Sequence, residues 1–459
     1  METHLADWIK GSAAGDEAES ILRACVHCGF CNATCPTYQL LGDELDGPRG
    51  RIYQIKQMLE GEVPGRSPSA PSRSPSAPGR SPSAAKAMDG RERPAKAMDG
   101  RERPAGESTR LHLDRCLTCM NCETTCPSGV QYGRLVEIGR AVIEQRAPRP
   151  LRQRVSQRLL RFVLTHRWLF DPAVRVSRAL RAFLPPGLRA QLPPLRDAGA
   201  APRRTHERKV LLLNGCVQPA LMPAIDAATA RVLDALEIET IVASRSGCCG
   251  AIDHHMAASD AAKHAARRNI DAWWPHIERG AEAIVINASG CGAMVKDYAH
   301  LLRDDAAYAS KARRVAELTR DIAEFLAPSA HALAARIAMS PAAPRPRIAF
   351  HPPCTLQHTQ KLHGVTESLL TVLGADLVPV ADAHLCCGSA GTYSLLQPEL
   401  SQQLRVNKLA SLQHGEPQLI LSANIGCLTH LETGAGVPVR HWIEWIDGRI
   451  NPVMRHDRP

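Results

Sequence analysis

With 459 residues, 44% of them hydrophobic and only 4% aromatic, the chain is long enough for two or three domains with separate cores. No run of about 18 uncharged apolar residues exists to cross a bilayer, and the opening METHLADWIK lacks the charged start and apolar run of a secretory signal. The net charge is +10, yet sixteen Arg or Lys against three acids fall between Arg146 and Lys209, so one segment rather than the whole surface is basic.

A soluble intracellular protein is the expectation. Its sixteen cysteines then read as metal ligands or redox groups, because a reducing compartment does not maintain a disulfide scaffold. In chain order, the first of them form CVHCGFCNATCP at 25–36, a C-x2-C-x2-C-x3-C-P run. The helical pattern GRIYQIKQMLEG follows at 50–61, with Ile52, Ile55, Met58 and Leu59 on one face. Next come tandem repeats: RSPSAPS, RSPSAPG and RSPSAAK, then KAMDGRERPA twice. Ser/Pro/Arg-rich repetition cannot bury a core, so 62–107 is expected to be a disordered insertion.

The same cysteine spacing returns as CLTCMNCETTCP at 116–127, and a second helix, GRLVEIGRAVIEQR, follows at 133–146. This is the bacterial ferredoxin run for [4Fe–4S] clusters, in which the fourth cysteine of each run ligates the other cluster. The expected ligand sets are therefore Cys25, Cys28, Cys31 and Cys126 for one cluster, and Cys116, Cys119, Cys122 and Cys35 for the other. Zinc is the alternative, but its sites usually show separated C-x2-C pairs. Residues 1–61 and 108–146 together read as a two-cluster, α-helical ferredoxin-like domain.

Residues 147–208 are basic, proline-punctuated and weakly amphipathic, a helical connector. Its arginines are either simply solvated or a surface for anionic lipid headgroups or an acidic partner. No base-reading motif accompanies them, so no nucleic acid is expected.

From 209 the pattern changes to short β-branched strands alternating with helices. KVLLLNGC, IETIVASRSGCCG and AIVINASGCG each run into cysteine, and RIAFHPPC, LVPVADAHLCCG and LILSANIGC repeat the plan. Cys216 to Cys248 spans 32 positions, as does Cys354 to Cys386. The expectation is a duplicated parallel-sheet α/β module over 209–340 and 341–459, making the whole chain an α+β multidomain protein. Ligands bind beyond the carboxyl ends of such strands. Cys216, Cys248, Cys249 and Cys291 should converge there, as should Cys354, Cys386, Cys387 and Cys427, as candidate further metal sites. His254, His255, His351 and His384 lie near these cysteines but read more readily as structural or surface histidines.

The CC-Gly pattern resembles the cysteine-rich CCG domain of heterodisulfide reductases and related respiratory subunits. In that family a full set ends in C-x-x-C. Here the last pairs read CGAM (Cys291, Met294) and CLTH (Cys427, His430), so the fifth thiolate is missing from both copies. Four-thiolate clusters, a metal using His430, or bare thiols remain as readings of these sites.

Taken in order, the quartets, connector and CCG modules resemble the iron–sulfur subunit of bacterial glycolate oxidase (glycolate dehydrogenase). LLNGCVQPALMP, SGCCGAIDHHM and HLCCGSAGTYSLLQPELSQQL carry the likeness together with the long stretches around both quartets. The resemblance implies a subunit of an oxidoreductase complex. A partner flavoprotein with FAD would oxidise glycolate, and in some members D-lactate. Two [4Fe–4S] clusters in this chain would pass the electrons towards a membrane acceptor such as quinone. A place on the cytoplasmic face of the inner membrane is then the expectation, with the basic charge of 147–208 offering the contact. No G-x-G-x-x-G follows a strand, so flavin belongs to the partner. The rival readings are a heterodisulfide-reductase-like thiol/disulfide subunit, an iron–sulfur subunit of a lactate or glycerol-3-phosphate dehydrogenase, and a zinc-stapled scaffold.

Overall fold

The computed structural model describes residues 1–61, 106–184, 189, 192–340 and 345–451. The expected disordered insertion, apart from its last two residues, lies outside them.

The amino-terminal unit is a cluster of helices. Helix α1 (Ala13–Ala24), which the sequence reading did not anticipate, starts where Ser12 Oγ accepts from the Gly15 N–H at 3.1 Å. Each quartet is built alike: a short helix, α2 (Phe30–Ala33) in the first, then the fourth cysteine and its proline. In the first, Pro36 opens α3 (Pro36–Leu41) at a position where a missing N–H costs nothing. Helix α4 (Pro48–Leu59) buries Ile52, Ile55, Met58 and Leu59, the face read from the sequence. Helix α5 (Glu107–Asp114) resumes the chain, and the second quartet carries α6 (Asn121–Thr124). Helix α7 (Tyr132–Arg146) then supplies Leu135, Val136, Val142 and Ile143 to the same core as α4. Burying each such side chain contributes about 1.5–3 kcal/mol.

The connector forms α8 (Leu151–Thr165) and α9 (Arg167–Ala179). Five of its arginines turn inward: Arg149 to Asp114, Arg161 to Asp253, Arg167 to Asn214, Arg178 to the Ala220 and Leu221 carbonyls, and Arg196 to Glu432. The others are not all so engaged. Helix α8 buries no residue, and Leu151, Val155, Leu159 and Phe162 stand exposed along one of its faces.

The remaining chain is two parallel four-stranded sheets of one design. The first orders its strands β2 (Ile238–Ile241), β1 (Arg208–Leu212), β3 (Ala283–Ile286), β4 (Thr319–Asp321). The second orders them β6 (Asp376–Leu377), β5 (Arg347–His351), β7 (Leu419–Ser422), β8 (Val439–His441). Registers match as well: Leu211 pairs Ile284, and Ala349 pairs Ile420. Parallel strands covered on both faces need continuous apolar runs, and β3 is buried at all four positions. The sequence reading found three strands per module, and the fourth in each, β4 and β8, is too short and polar to show a pattern.

The modules share one hydrophobic core that takes residues from β1 and β3 of the first and from β5 and β7 of the second. The contact is reciprocal. The helix Pro223–Asp234 of the first packs on Trp442–Ile450 of the second, while Val365–Val372 of the second packs on Ile322–Leu326 of the first. Asp321 and His441 occupy the same place in the two copies, each closing a capping box on the helix after its edge strand. No described helix is long and apolar enough to cross a membrane.

Candidate metal centres

In both quartets the backbone takes left-handed turns at matching positions. His27 (φ 57°) and Gly29 (φ 85°) flank Cys28, and Thr118 (φ 51°) and Met120 (φ 61°) flank Cys119. Only glycine adopts this conformation without strain, so Thr118 and Met120 are held there by their surroundings. The turns curl each loop around a common centre and aim amides inward. The Thr118 N–H donates to Cys116 Sγ at 3.4 Å.

The fourth cysteines cross over. Burial, together with the neighbouring sulfurs of Cys25, Cys126 and Cys28, pushes the Cys31 thiol up to about 11. Cys25 is likewise raised, by burial and then by Cys126 and Cys28, against a hydrogen bond from the His27 amide. Cys25, Cys28, Cys31 and Cys126 line one small concavity, which Cys122 also borders. In the second quartet, burial and then Cys119, Cys116 and Cys35 drive the Cys122 thiol well above its ordinary value. Cys126 thus neighbours Cys25 and Cys31 of the first triplet, and Cys35 neighbours Cys119 and Cys122 of the second. Two sets of four thiols, each in an apolar cradle with inward amides, fit [4Fe–4S] clusters. Thiols left protonated by burial become ligands once iron displaces the proton.

The two sets differ in access and charge. Cys28 is exposed, whereas Cys116, Cys119, Cys122 and Cys35 are all buried. Beside the second set lies Arg51, 1% exposed, donating through Nε to the His112 carbonyl at 2.7 Å and directing Nη1 at Cys35 Sγ, 3.9 Å away. Its Nη2 reaches Asp46, whose carboxylate also meets His112 at 3.0 Å and Arg115 at 2.7 Å. Burial alone would raise the Cys116 thiol, but Arg51, Arg140 and hydrogen bonds from Tyr132 and Thr118 bring it below its usual value. Sequence reading missed Arg51, Asp46 and Tyr132. A single arginine within a helix pattern carries no sign that it will be buried.

In the modules the cysteines also meet at the strand ends. Cys216, Cys248, Cys249 and Cys291 form one file of neighbouring thiols, and Cys354, Cys386, Cys387 and Cys427 a second, with Cys354 and Cys386 Sγ 4.0 Å apart. After each pair the glycine N–H donates back to sulfur: Gly250 to Cys248 at 3.5 Å and Gly388 to Cys386 at 3.4 Å. Gly388 (φ 88°) is required there, since a Cβ would stand 2.6 Å from the Ser401 carbonyl oxygen. Both files open onto one cavity of about 1210 Å³ between the modules, the connector and the second quartet.

The histidines part company. His254 faces Glu137 at 2.9 Å, and the His384 carbonyl accepts from Asn121 at 3.3 Å, which ties the quartets to the modules. His255 lines the cavity between the modules. His430 Nε2 is engaged by Ser401 at 3.2 Å. His351 is 1% exposed with neither ring nitrogen partnered, and it lies against Cys387 and Cys427.

The second quartet touches the second module directly. Leu117, Cys119, Cys386, Tyr393 and Leu404 share one buried cluster, with Cys354 packed on it. Tyr393 donates to the Arg115 carbonyl at 3.1 Å, and Thr124 Oγ1 meets His358 Nδ1 at 3.0 Å.

Comparison with known proteins agrees with this layout. The family described as "4Fe-4S dicluster domain" matches residues 21–130, and that described as "Cysteine-rich domain" matches 210–296 and 348–432. The "Glycolate oxidase iron-sulfur subunit" of Escherichia coli (strain K12) is 49% identical over 450 residues, 97% of this chain and 98% of that protein. The "Probable glycolate oxidase iron-sulfur subunit" of Bacillus subtilis (strain 168) is 27% identical over 450 residues, 91% of this chain and 90% of that one. "Lactate utilization protein A" of Geobacillus kaustophilus (strain HTA426) is 26% identical over 250 residues, 52% of this chain and 99% of its own length.

Proposed function

The chain belongs to the family of glycolate oxidase iron–sulfur subunits, and on that premise we propose how its residues serve the reaction. It is the electron-transfer subunit of an oxidoreductase complex. Cys25, Cys28, Cys31 and Cys126 hold one [4Fe–4S] cluster, and Cys116, Cys119, Cys122 and Cys35 hold the other. When bound, such clusters supply reversible one-electron transfer. The observation that carries this reading is the exchange of the fourth thiols, Cys126 to the first triplet and Cys35 to the second.

The chain's own side chains set access. Val26 and Phe30, 67% and 63% exposed, surround the exposed Cys28 and make the face on which an FAD-containing flavoprotein docks. Oxidation of glycolate takes place in that partner. The second thiol set is closed to solvent and leads to Cys354 and Cys386, the direction of a membrane acceptor such as quinone. Working boundaries are 1–61 with 108–146 for the two-cluster domain, 147–208 for the connector, and 209–340 and 341–459 for the modules. In the anaerobic complex, adding glycolate should bring up the EPR signals of both reduced clusters. Signals that stay absent while the flavin is reduced would overturn the proposal.

The connector seats the complex on the cytoplasmic face of the membrane. Leu151, Val155, Leu159 and Phe162 form an exposed apolar stripe on α8, with Arg152 and Arg158 exposed beside it. An apolar stripe flanked by cations suits an anionic lipid surface, where each basic side chain contributes about 1 kcal/mol. The complex should sediment with phosphatidylserine-containing liposomes at low salt, and L159E/F162E should reduce the bound fraction at least about tenfold. Equal sedimentation of both proteins would reject this contact.

A further inference from the structure

The second module contains a donor set that its twin lacks. His351 ends β5, and its ring, Cys387 and Cys427 present ligand atoms that all lie within 4.8 Å of one another, every one buried. Around one tetrahedral ion such donors stand about 3.5–3.8 Å apart, given bonds of about 2.3 Å to sulfur and about 2.0 Å to nitrogen. A small closure of the site reaches that spacing. Among the described residues neither quartet gathers three thiols this tightly. That is the difference between donors spread round an iron–sulfide cube and donors aimed at a point.

Two further features point to a ligand. A buried imidazole ordinarily finds a hydrogen-bond partner, and both His351 nitrogens lack one, while Ser422 Oγ holds the His351 carbonyl at 3.0 Å and so fixes the residue. Lys408 is the second. It is 3% exposed among these thiols, and its Nζ is held by the Asp382 and Ala383 carbonyls, at 2.8 and 3.2 Å. A buried cation so placed matches a centre of net negative charge. Three thiolates on a divalent ion make such a centre.

Counted from the cysteines, the first module has Leu213 where the second has His351, and Met294 where the second has His430. At the His351 position the same fold therefore offers a nitrogen donor in one copy and hydrocarbon in the other.

We infer that the second module binds a single divalent transition metal of the zinc(II) or iron(II) class through His351, Cys387 and Cys427, with Cys386 or Cys354 completing the set. This goes beyond the two-cluster reading and selects one of the two CCG sites. Binding releases one proton per thiol ligated and requires no oxidant or reductant. His430, held by Ser401, stays outside the ligand set.

The test is elemental. In a cubane, iron and acid-labile sulfide are equal, so a mononuclear ion appears as metal in excess of sulfide. The anaerobically purified full-length chain should carry about eight irons and eight sulfides plus about one further equivalent of zinc or iron. H351A and C427S should each lose that equivalent while both cubane EPR signals persist, and C291S in the first module should keep it. If H351A does not fold, H351C restores a ligand and should retain the metal. Metal equal to sulfide in the wild-type protein, or an excess that survives H351A, would overturn the assignment. So would twelve of each, which means a third cubane. Zinc and iron(II) are told apart by which element falls in the variants.

Discussion

C126S is expected to extinguish the cluster of the first quartet and spare that of the second, although Cys126 lies within the second quartet. About four of eight irons should be lost, and only one of two EPR signals should vanish. C35S should do the converse. The reason is geometric: Cys126 stands beside Cys25 and Cys31, and Cys35 beside Cys119 and Cys122. Electron transfer from glycolate to an acceptor through the assembled complex should drop by on the order of 100-fold or more, since even outer-shell changes at metal sites cost about 10–100-fold. Loss of the second signal with the first intact would show that each quartet serves itself.

A change at Arg51 should have the next largest effect, on stability and potential together. R51M removes the cation that meets Asp46 and faces Cys35, leaving a carboxylate 0% exposed with only His112 and Arg115. Breaking a buried pair from one side typically costs about 3–5 kcal/mol, which should appear as a large fall in melting temperature. The redox effect has a definite sign. A cation beside the sulfurs stabilises the reduced, more negative cluster, so R51M should shift the second cluster's midpoint downward and leave the first where it was. R51K keeps the charge and should recover most of the potential but not the hydrogen bonds to the His112 carbonyl and Thr37. Equal midpoints in all three proteins would rule out a tuning role.

Spacing made much of this site legible. Four cysteines per run, with the last set off by an extra residue and a proline, are the ferredoxin pattern from which crossed ligation is expected. The module repeat was equally open to reading, since identical gaps from Cys216 to Cys248 and from Cys354 to Cys386 leave little room for unrelated folds. What escaped were properties created by tertiary contact. Arg51 is buried only because α4 meets α5, and its charge is tolerable only because Asp46 arrives from a separate turn. His351 resembled any histidine at a strand end until its neighbours proved to be two thiols and no hydrogen-bond acceptor. The connector arginines likewise divided, some pairing inward and some facing out, along a helix whose sequence gives them equal standing.

The reciprocal packing of the two modules has an evolutionary consequence. Helix against helix in one direction, and their counterparts in the other, is the arrangement of an isologous homodimer. Here both protomers lie on one polypeptide, so dilution cannot separate them and their association carries no concentration dependence. Freed from the need to remain self-complementary, each copy could accept substitutions the other did not. Leu213 in the place of His351, and Asp321 in that of His441, are such differences between the two copies.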